Sequence, residues 1–442
     1  MTAAPAEPFR YLGLDLDPGA GRVRATYRLG GRTFTEEAVV GPGPGWGSPA
    51  AAEAARWFAL LAGTSYYKTA APPRIDLGPL ATTPAERDFL TLVYRQGLAE
   101  FAHRNGLDLS GLVLEGPDAA GPPGAATPGP ARPAPARPLV PFGGGLDSAV
   151  VAEEVRAHGA DLSLFVVGRP DHPYAALEAP LAASGLPVVR ATRAVDPAVL
   201  AGDPSFRTGH VPVTGILSAL ALLAAAVHGH DAVVMANEWS ASRPTVLADG
   251  QAVNHQWSKS LAFEAGLRAV LAGGPAAGLD YFSYLRPRSE LWVARRFAED
   301  GRYRTSFRSC NRAFAADPAR RLDTWCGECD KCCFIDLVLA PFLSPEALAE
   351  VFGGREPLRR PDLLGRFEAL VGLGGTKPFE CVGDEEESGA AARLAAARPD
   401  RAGDPVLAAL VPRLGPAPER DWFGVLGPHF LPDAWAPQPQ LA

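Results

Sequence analysis

Three stretches of the 442-residue chain hold residue types that can do chemistry. In the first, VPFGGGLDS at residues 140–148, a short apolar run breaks into three glycines and restarts with Asp147 and Ser148. Gly143, Gly144 and Gly145 leave the backbone open to an anion, and a helix starting behind them aims its free N–H groups at the same point. This is a phosphate cradle. A plain strand-to-helix turn capped by Asp147 uses some of the same residues, but three consecutive glycines exceed what a turn requires. The spacing is neither that of the GxxxxGK phosphate loop nor the GxGxxG of dinucleotide sites.

The second stretch comprises two polar segments, ANEWSAS at 236–242 and VNHQWSKSLAFE at 253–264. Asn237, Ser240, Arg243, Asn254 and Ser258 offer hydrogen bonds to a substrate, although surface loops are also polar simply because they are solvated. Glu238 at a strand end facing a triphosphate can hold Mg²⁺. Lys259 can neutralise a phosphate or, with a lowered pKa, act as a base. His255 can transfer a proton or serve a purely structural role. In the third stretch Cys326, Cys329 and Cys332 form C-x2-C-x2-C with Cys310 upstream, a set of four thiolates suited to tetrahedral zinc or to an iron–sulfur cluster. Cys333 beside this set and Cys381 apart from it leave room for a reactive thiol.

The elements that must position these groups follow an α/β rhythm. Strands are expected at 139–142, 162–167, 187–191 and 232–236, with helices at 147–157, 173–184 and 213–228 between them. Unalternating runs such as SLFVV and AVVMA suit strands buried on both faces, which implies a doubly wound parallel sheet with its ligands beyond the carboxyl ends of the strands. The glycine loop, residues 168–171 and residues 237–242 all fall at such ends. Ahead of this unit, residues 9–40 alternate as a small antiparallel sheet, and helices follow at 50–61 and 84–103. The expected organisation is an α+β domain at 1–115 with no assignable chemistry, a Pro/Ala-rich linker at 116–137, the α/β unit at 138–300 and a Cys-containing helical region at 301–442. Within 281–321 ten arginines face four acids, an excess suited to diphosphate recognition, to a salt-bridged helix or to RNA. DEEES at 384–388 is expected to be a solvated loop, and the Pro- and Trp-rich end an irregular tail.

The totals exclude several classes. A net charge of −7 argues against a protein whose main partner is a nucleic-acid backbone. The longest apolar segment, 215–227, is short of the roughly 20 residues that span a bilayer, and the first residues lack a signal-peptide pattern, so no membrane partner and a cytoplasmic location are expected. Six cysteines in so long a chain are no disulfide framework. Lysine occurs only at Lys68, Lys259, Lys331 and Lys377, with arginine elsewhere.

VPFGGGLDS resembles the S-G-G-x-D-S loop of the PP-loop ATP pyrophosphatases, with Gly143 where that pattern has its first serine. Taken in order with TGHVPVTGI, ANEWSAS, VNHQWSKSLAFE and WCGECDKCCF, it is similar to the MurL family of ATP-dependent UDP-N-acetylmuramoyl-L-alanyl-L-glutamate epimerases, from about residue 139 to about 341. The resemblance implies an adenine nucleotide alpha hydrolase-like fold. It also implies an acyl-adenylate on the terminal L-glutamate, release of AMP and diphosphate, and a D-glutamyl product for peptidoglycan. Gly143, Gly144, Gly145, Asp147 and Ser148 would hold ATP with Mg²⁺. His255, Lys259 and Glu238, in that order, are the candidates for proton transfer, and Cys310, Cys326, Cys329 and Cys332 for zinc. The runner-up is a PP-loop enzyme that adenylates a tRNA base.

Overall fold

A computed structural model describes residues 7–119, 133–248, 251–315, 317–374 and 377–437. Residues 120–132 of the expected linker lie outside the described residues. Twelve strands are present among the described residues: β1 Phe9–Asp17, β2 Arg22–Leu29, β3 Arg32–Val39, β4 Arg74–Asp76, β5 Val113–Glu115, β6 Pro138–Pro141, β7 Ser163–Gly168, β8 Val188–Ala194, β9 Ala232–Met235, β10 Val246–Ala248, β11 Gln251–Val253 and β12 Asp280–Ser283. Ten of them form one sheet in the order β12-β9-β6-β7-β8-β3-β2-β1-β4-β5, while β10 and β11 pair as a hairpin.

The segment from β12 to β8 is parallel throughout. From β6 the chain runs outward through β7 and β8 on one side and through β9 and β12 on the other, so the strand order reverses between β6 and β9. That reversal opens a crevice at the carboxyl ends of the two strands. Alternate residues of these strands feed opposite layers. Leu139, Phe165, Val233 and Tyr281 join one core with the N-terminal helices. Val140, Leu164, Val234 and Phe282 join another with helix Leu146–Ala157 and the C-terminal helices. Two buried faces explain why these strands read as unbroken apolar runs.

β1, β2 and β3 pair antiparallel as the alternation at 9–40 predicts, but they do not form a sheet of their own. β3 pairs antiparallel with β8, Ala38 opposite Arg193 and Val39 opposite Thr192, so the first strands extend the main sheet. This pairing also lengthens β8 to Ala194, three residues past its expected end. Glu36, fully buried, accepts from Arg193 across the junction at 2.6 Å. Helix Val213–His228 is apolar on nearly all sides because it is sandwiched, with helix Pro49–Ala62 in the same core. The expected helix 84–103 begins with the capping box of Thr83 and Glu86 and breaks at Leu98, giving Pro84–Gly97 and Ala99–Asn105.

One further expectation changes, and for the arginine-rich segment the ion pairs agree with the salt-bridged alternative. Residues 384–388 are not a solvated loop: Asp384 caps helix Glu385–Ala396, and buried Glu387 accepts the Leu291 N–H at 2.7 Å. The arginines of 281–321 are largely paired, with Arg295 and Arg296 on Glu299, Arg302 on Glu153, Arg312 on Glu328 and Arg286 on Glu264. No helix among the described residues is long and apolar enough to cross a membrane.

Candidate active site

The crevice between β6 and β9 opens into a cavity of about 480 Å³ lined by Gly143, Gly145, Asp147, Ser148, Asn237, Lys259, Arg308, Ser309, Lys331 and Cys381, among others. The glycine loop bends because Gly144 adopts a left-handed backbone (φ 72°). A side chain there would press on Leu177, and one on Gly145 would overlap the Ser309 hydroxyl. Gly145 is the N-cap of helix Leu146–Ala157, and Ser148 Oγ donates to the Gly145 carbonyl at 3.1 Å, so the first turn presents its backbone N–H groups toward the loop. The Arg308 N–H donates to the Gly144 carbonyl at 2.8 Å. This bond fixes a distant segment against the cradle and brings the Ser309 hydroxyl with it.

After β9, the Asn237 N–H donates to Ser283 Oγ (2.7 Å), which in turn donates to the Asn237 carbonyl (2.6 Å). Arg286, nearly inaccessible, donates to Glu264 (2.9 Å), to the Glu238 carbonyl (2.9 Å) and to the Lys259 carbonyl (2.5 Å). One buried guanidinium therefore fixes the loops after β9 and β12 and the turn Trp257–Lys259. Removing it would leave Glu264 buried and unpaired, at a cost of about 3–5 kcal/mol. Burial and the nearby Asp147 push Glu238 up to about 7, and the same two causes raise Glu290. Asp147, Glu238 and Glu290 thus repel one another beside the glycine loop.

Lys259 and Cys381, which also line the cavity, belong to a cluster assembled from distant segments. Lys259 Nζ donates to Cys381 Sγ at 3.2 Å. His255 also interacts with that sulfur, and its Nδ1 lies 2.5 Å from Glu100 Oε2 on helix Ala99–Asn105. His210 stacks against His255 with ring centroids 4.3 Å apart. Phe379, two residues before Cys381, packs on His103 and His255 and beneath the Arg104 guanidinium, which anchors the loop that carries the thiol. Burial raises the Cys381 thiol, but Lys259 and His255 outweigh it and bring it to about 6. Burial lowers His255, and its bonds to Cys381 and Glu100 more than compensate, lifting it to about 9. Burial likewise opposes the Lys259 ammonium, yet Cys381 and Asp147 raise it above its ordinary value.

Cys310, Cys326, Cys329 and Cys332 place their sulfurs within 4.8 Å of one another. The Cys326–Cys332 and Cys329–Cys332 separations are 3.6 and 3.5 Å. Four thiolates about 2.3 Å from a tetrahedral ion stand roughly 3.8 Å apart, so the set fits zinc. Backbone N–H groups of Cys326 and Cys329 point at the sulfurs of Cys310 and Cys326. Cys333 lies outside the cluster, buried and with its thiol raised by that burial.

Of the residues expected at the site, Gly143, Gly145, Asp147, Ser148, Asn237 and Lys259 line the cavity. Glu238 caps the turn Trp239–Ser242 by accepting the Ser240 N–H, and Ser240 is buried there. Arg243 pairs with Asp384 (3.2 Å), and Asn254 braces its own loop by donating to the Ala241 carbonyl (3.0 Å). Ser258 is buried in the turn that carries Lys259. The sequence reading assigns no chemistry to residues 1–115, yet Glu100 comes from there. It also gives no role to His210, Arg308 or Ser309. Lysine scarcity was the available signal: Lys259 and Lys331 line the cavity, and Lys68 donates to the Gly209 carbonyl beside His210 at 2.7 Å.

The fold and site define an α/β protein with a glycine-rich strand-to-helix loop at the switch point of a mostly parallel sheet. Family models of the MurL N-terminal domain and the MurL C-terminal domain match residues 1–284 and 306–421, and the chain belongs to the MurL family. A protein of Xanthomonas oryzae named UDP-N-acetyl-alpha-D-muramoyl-L-alanyl-L-glutamate epimerase is 36% identical over 438 residues, covering 96% of this chain and 95% of its own length. A protein of the same name from Salinispora tropica is 38% identical over 386 residues, 85% of this chain and 81% of its own.

Proposed function

We propose that the protein converts the terminal L-glutamate of UDP-MurNAc-L-Ala-L-Glu to D-glutamate in the cytoplasm, using ATP and releasing AMP and diphosphate, as a step of peptidoglycan precursor synthesis. The observation that carries this reading is one cavity lined by both the glycine loop and the titratable side chains of Lys259 and Cys381, in a chain whose relatives are named for that epimerisation. An ionised carboxylate makes the adjacent α-hydrogen very weakly acidic, since deprotonation puts a second negative charge beside the first. Attack of the carboxylate on the α-phosphorus of ATP expels diphosphate and gives an acyl-adenylate. The carboxylate charge is gone, and the carbonyl can accept the electron pair left when the α-proton departs. Inversion at carbon followed by hydrolysis releases AMP.

In this reading residues 138–300 form a PP-loop-type ATP-binding unit. The amides of Gly143, Gly144 and Gly145 and the Ser148 turn bind phosphate, while Lys259, Arg308 and Lys331 offset its charge. Asp147, which lines the cavity, would hold Mg²⁺, which supplies charge neutralisation on the triphosphate. Zinc on the four cysteines would be structural and would hold Ser309 and Arg308 against the loop through Cys310. The test is to incubate the purified protein with ATP, Mg²⁺ and the dipeptide nucleotide and to follow AMP and glutamate stereochemistry. AMP should form only with the dipeptide nucleotide present, and the product should contain D-glutamate. AMP formation independent of that substrate, or a wholly L product, would overturn the reading.

A further inference from the structure

His255, Lys259 and Glu238 are the proton-transfer candidates by sequence, and the geometry gives each another task. The His255 ring is engaged on Glu100 at 2.5 Å and on Cys381, and this pair of acidic neighbours keeps it an imidazolium at neutral pH. Lys259 directs its ammonium at Cys381 Sγ (3.2 Å) and Gln256 Oε1 (3.2 Å). Glu238 accepts the Ser240 N–H as a cap, and it is not among the residues lining the cavity. Cys381 is different: it lines the cavity with Gly143 and Asp147, and two cations stand against its sulfur.

We propose that Cys381 is the residue that removes the α-hydrogen of the activated glutamyl group, with Glu100 and His255 orienting its thiolate and Lys259 balancing its charge. This rests on the epimerase reading above and names the catalytic residue within it. A thiolate beside an imidazolium that is itself held by a carboxylate is an activated thiol. The groups facing the sulfur are Lys259 and His255 at close range and Lys331, whose ammonium donates to the Cys381 carbonyl. Glu100, His210 and Glu380 face His255 in turn. Burial opposes the thiolate and these cations outweigh it, which places the sulfur near 6, close to the pH at which a base must work.

The step balances. The thiolate takes the α-hydrogen as a proton and becomes a thiol, and the C–H electron pair moves into the acyl-adenylate carbonyl as an enolate. Water on the opposite face delivers a proton to the α-carbon; the hydroxide formed there takes a proton from bulk solvent and the thiol gives its proton to bulk solvent, restoring water and thiolate with no net change.

The experiment runs wild type, Cys381→Ala and Cys381→Ser in D₂O with ATP, Mg²⁺ and UDP-MurNAc-L-Ala-L-Glu, reading AMP, deuterium at the glutamyl α-carbon and D-glutamate. Wild type should place deuterium at that carbon. In both variants deuterium incorporation should fall by about 100-fold or more, while substrate-dependent AMP formation falls less than about tenfold. Variants that exchange the α-hydrogen within about tenfold of wild type would overturn the proposal. A wild type that makes AMP but never D-glutamate would instead overturn the epimerase reading. Should the variants fail to fold, alkylation of wild-type Cys381 by iodoacetamide, followed by peptide mass, decides. A reaction midpoint near pH 6 supports the thiolate, and an unreactive sulfur or an ordinary thiol midpoint refutes it.

Discussion

The glycine loop supplies its groups to the cavity from six consecutive residues, 143–148. Glu100, His255, Lys259 and Cys381 form a cluster drawn from three separate segments, of which Lys259 and Cys381 line the same cavity. The first arrangement depends on backbone geometry: a left-handed Gly144, an N-cap at Gly145 and a helix start. The second depends on packing, since Arg286 must hold the Lys259 turn and Phe379 must anchor the Cys381 loop before the sulfur meets its cations. Contiguous chemistry survives as long as its own turn forms, whereas assembled chemistry fails whenever any of its supports moves. If, as proposed, the glycine loop serves carboxylate activation and the Cys381 cluster serves proton transfer, substitutions should separate AMP formation from α-hydrogen exchange.

The largest separation is expected for Asp147→Ala. AMP formation should fall by about 1,000-fold, the scale of losing one charge-stabilising group in an electrostatically organised site. Stability should hold or rise, because Glu238 and Glu290 are both raised by the Asp147 charge and would lose a repelling neighbour. Thermal melts and an AMP assay check both halves; retained AMP formation would place this carboxylate outside the site.

In the assembled cluster, His255→Asn should cut α-hydrogen exchange about 10- to 100-fold at neutral pH and lower AMP formation far less. Its pH profile carries the sign. Removing the imidazolium takes away one of the cations that depress the thiol, so the acid limb of exchange should move above its position near 6. Stability follows the same groups. His255, raised to about 9, contributes stability that is complete below its unfolded value and is lost as pH rises through 9. Cys381, depressed to about 6, contributes stability that is complete above its unfolded value and is lost as pH falls through 6. The pair is thus intact between about 6 and 9. Unfolding stabilities of wild type and His255→Asn should differ most on the acid side of that window and converge as pH rises past about 9, and a difference independent of pH would show no linkage.

How much was legible in the sequence follows the same division. The glycine loop, the parallel strands and the four clustered cysteines are readable because each is written in local spacing: consecutive glycines, unbroken apolar runs and C-x2-C-x2-C. The union of the N-terminal strands with the main sheet is not, since alternation at 9–40 fixes a pleat but not its partner, and Ala38 opposite Arg193 is a contact across most of the first half of the chain. Glu100 was invisible for a related reason. It lies on a short helix that looks like any amphipathic surface, and only tertiary packing brings it to His255. Lys259 was found because its segment is dense in polar groups, and Cys381 was visible only as a thiol standing apart.

The cysteine cluster links the two kinds of construction, being local in sequence yet tied to the loop through Cys310, Ser309 and Arg308. Cys310→Ser should lower bound zinc and melting temperature. It should also raise the KM for ATP by about tenfold, as loss of an orienting group does, because the Arg308 N–H to Gly144 bond (2.8 Å) loses its anchor. An unchanged KM in a zinc-depleted variant would confine the cluster to stability.

The smallest effect is expected at Gly143, where the resemblance to S-G-G-x-D-S has its gap. A Cβ built there meets nothing within 4 Å, and Gly143 is not among the glycines with positive φ, so Gly143→Ser should fold without strain. The Ser309 hydroxyl already stands against Gly145 and lines the same cavity, which supplies from a remote segment the hydroxyl that the loop lacks. Adding a second hydroxyl should therefore change the KM for ATP by less than about threefold, within the net worth of one hydrogen bond. Ser309→Ala should weaken ATP binding more than Gly143→Ser alters it, and the double variant should recover toward wild type if either hydroxyl can serve the same phosphate. Independent, additive effects would instead give the two hydroxyls different tasks and remove Ser309 as the substitute, leaving the loop to bind through its backbone alone.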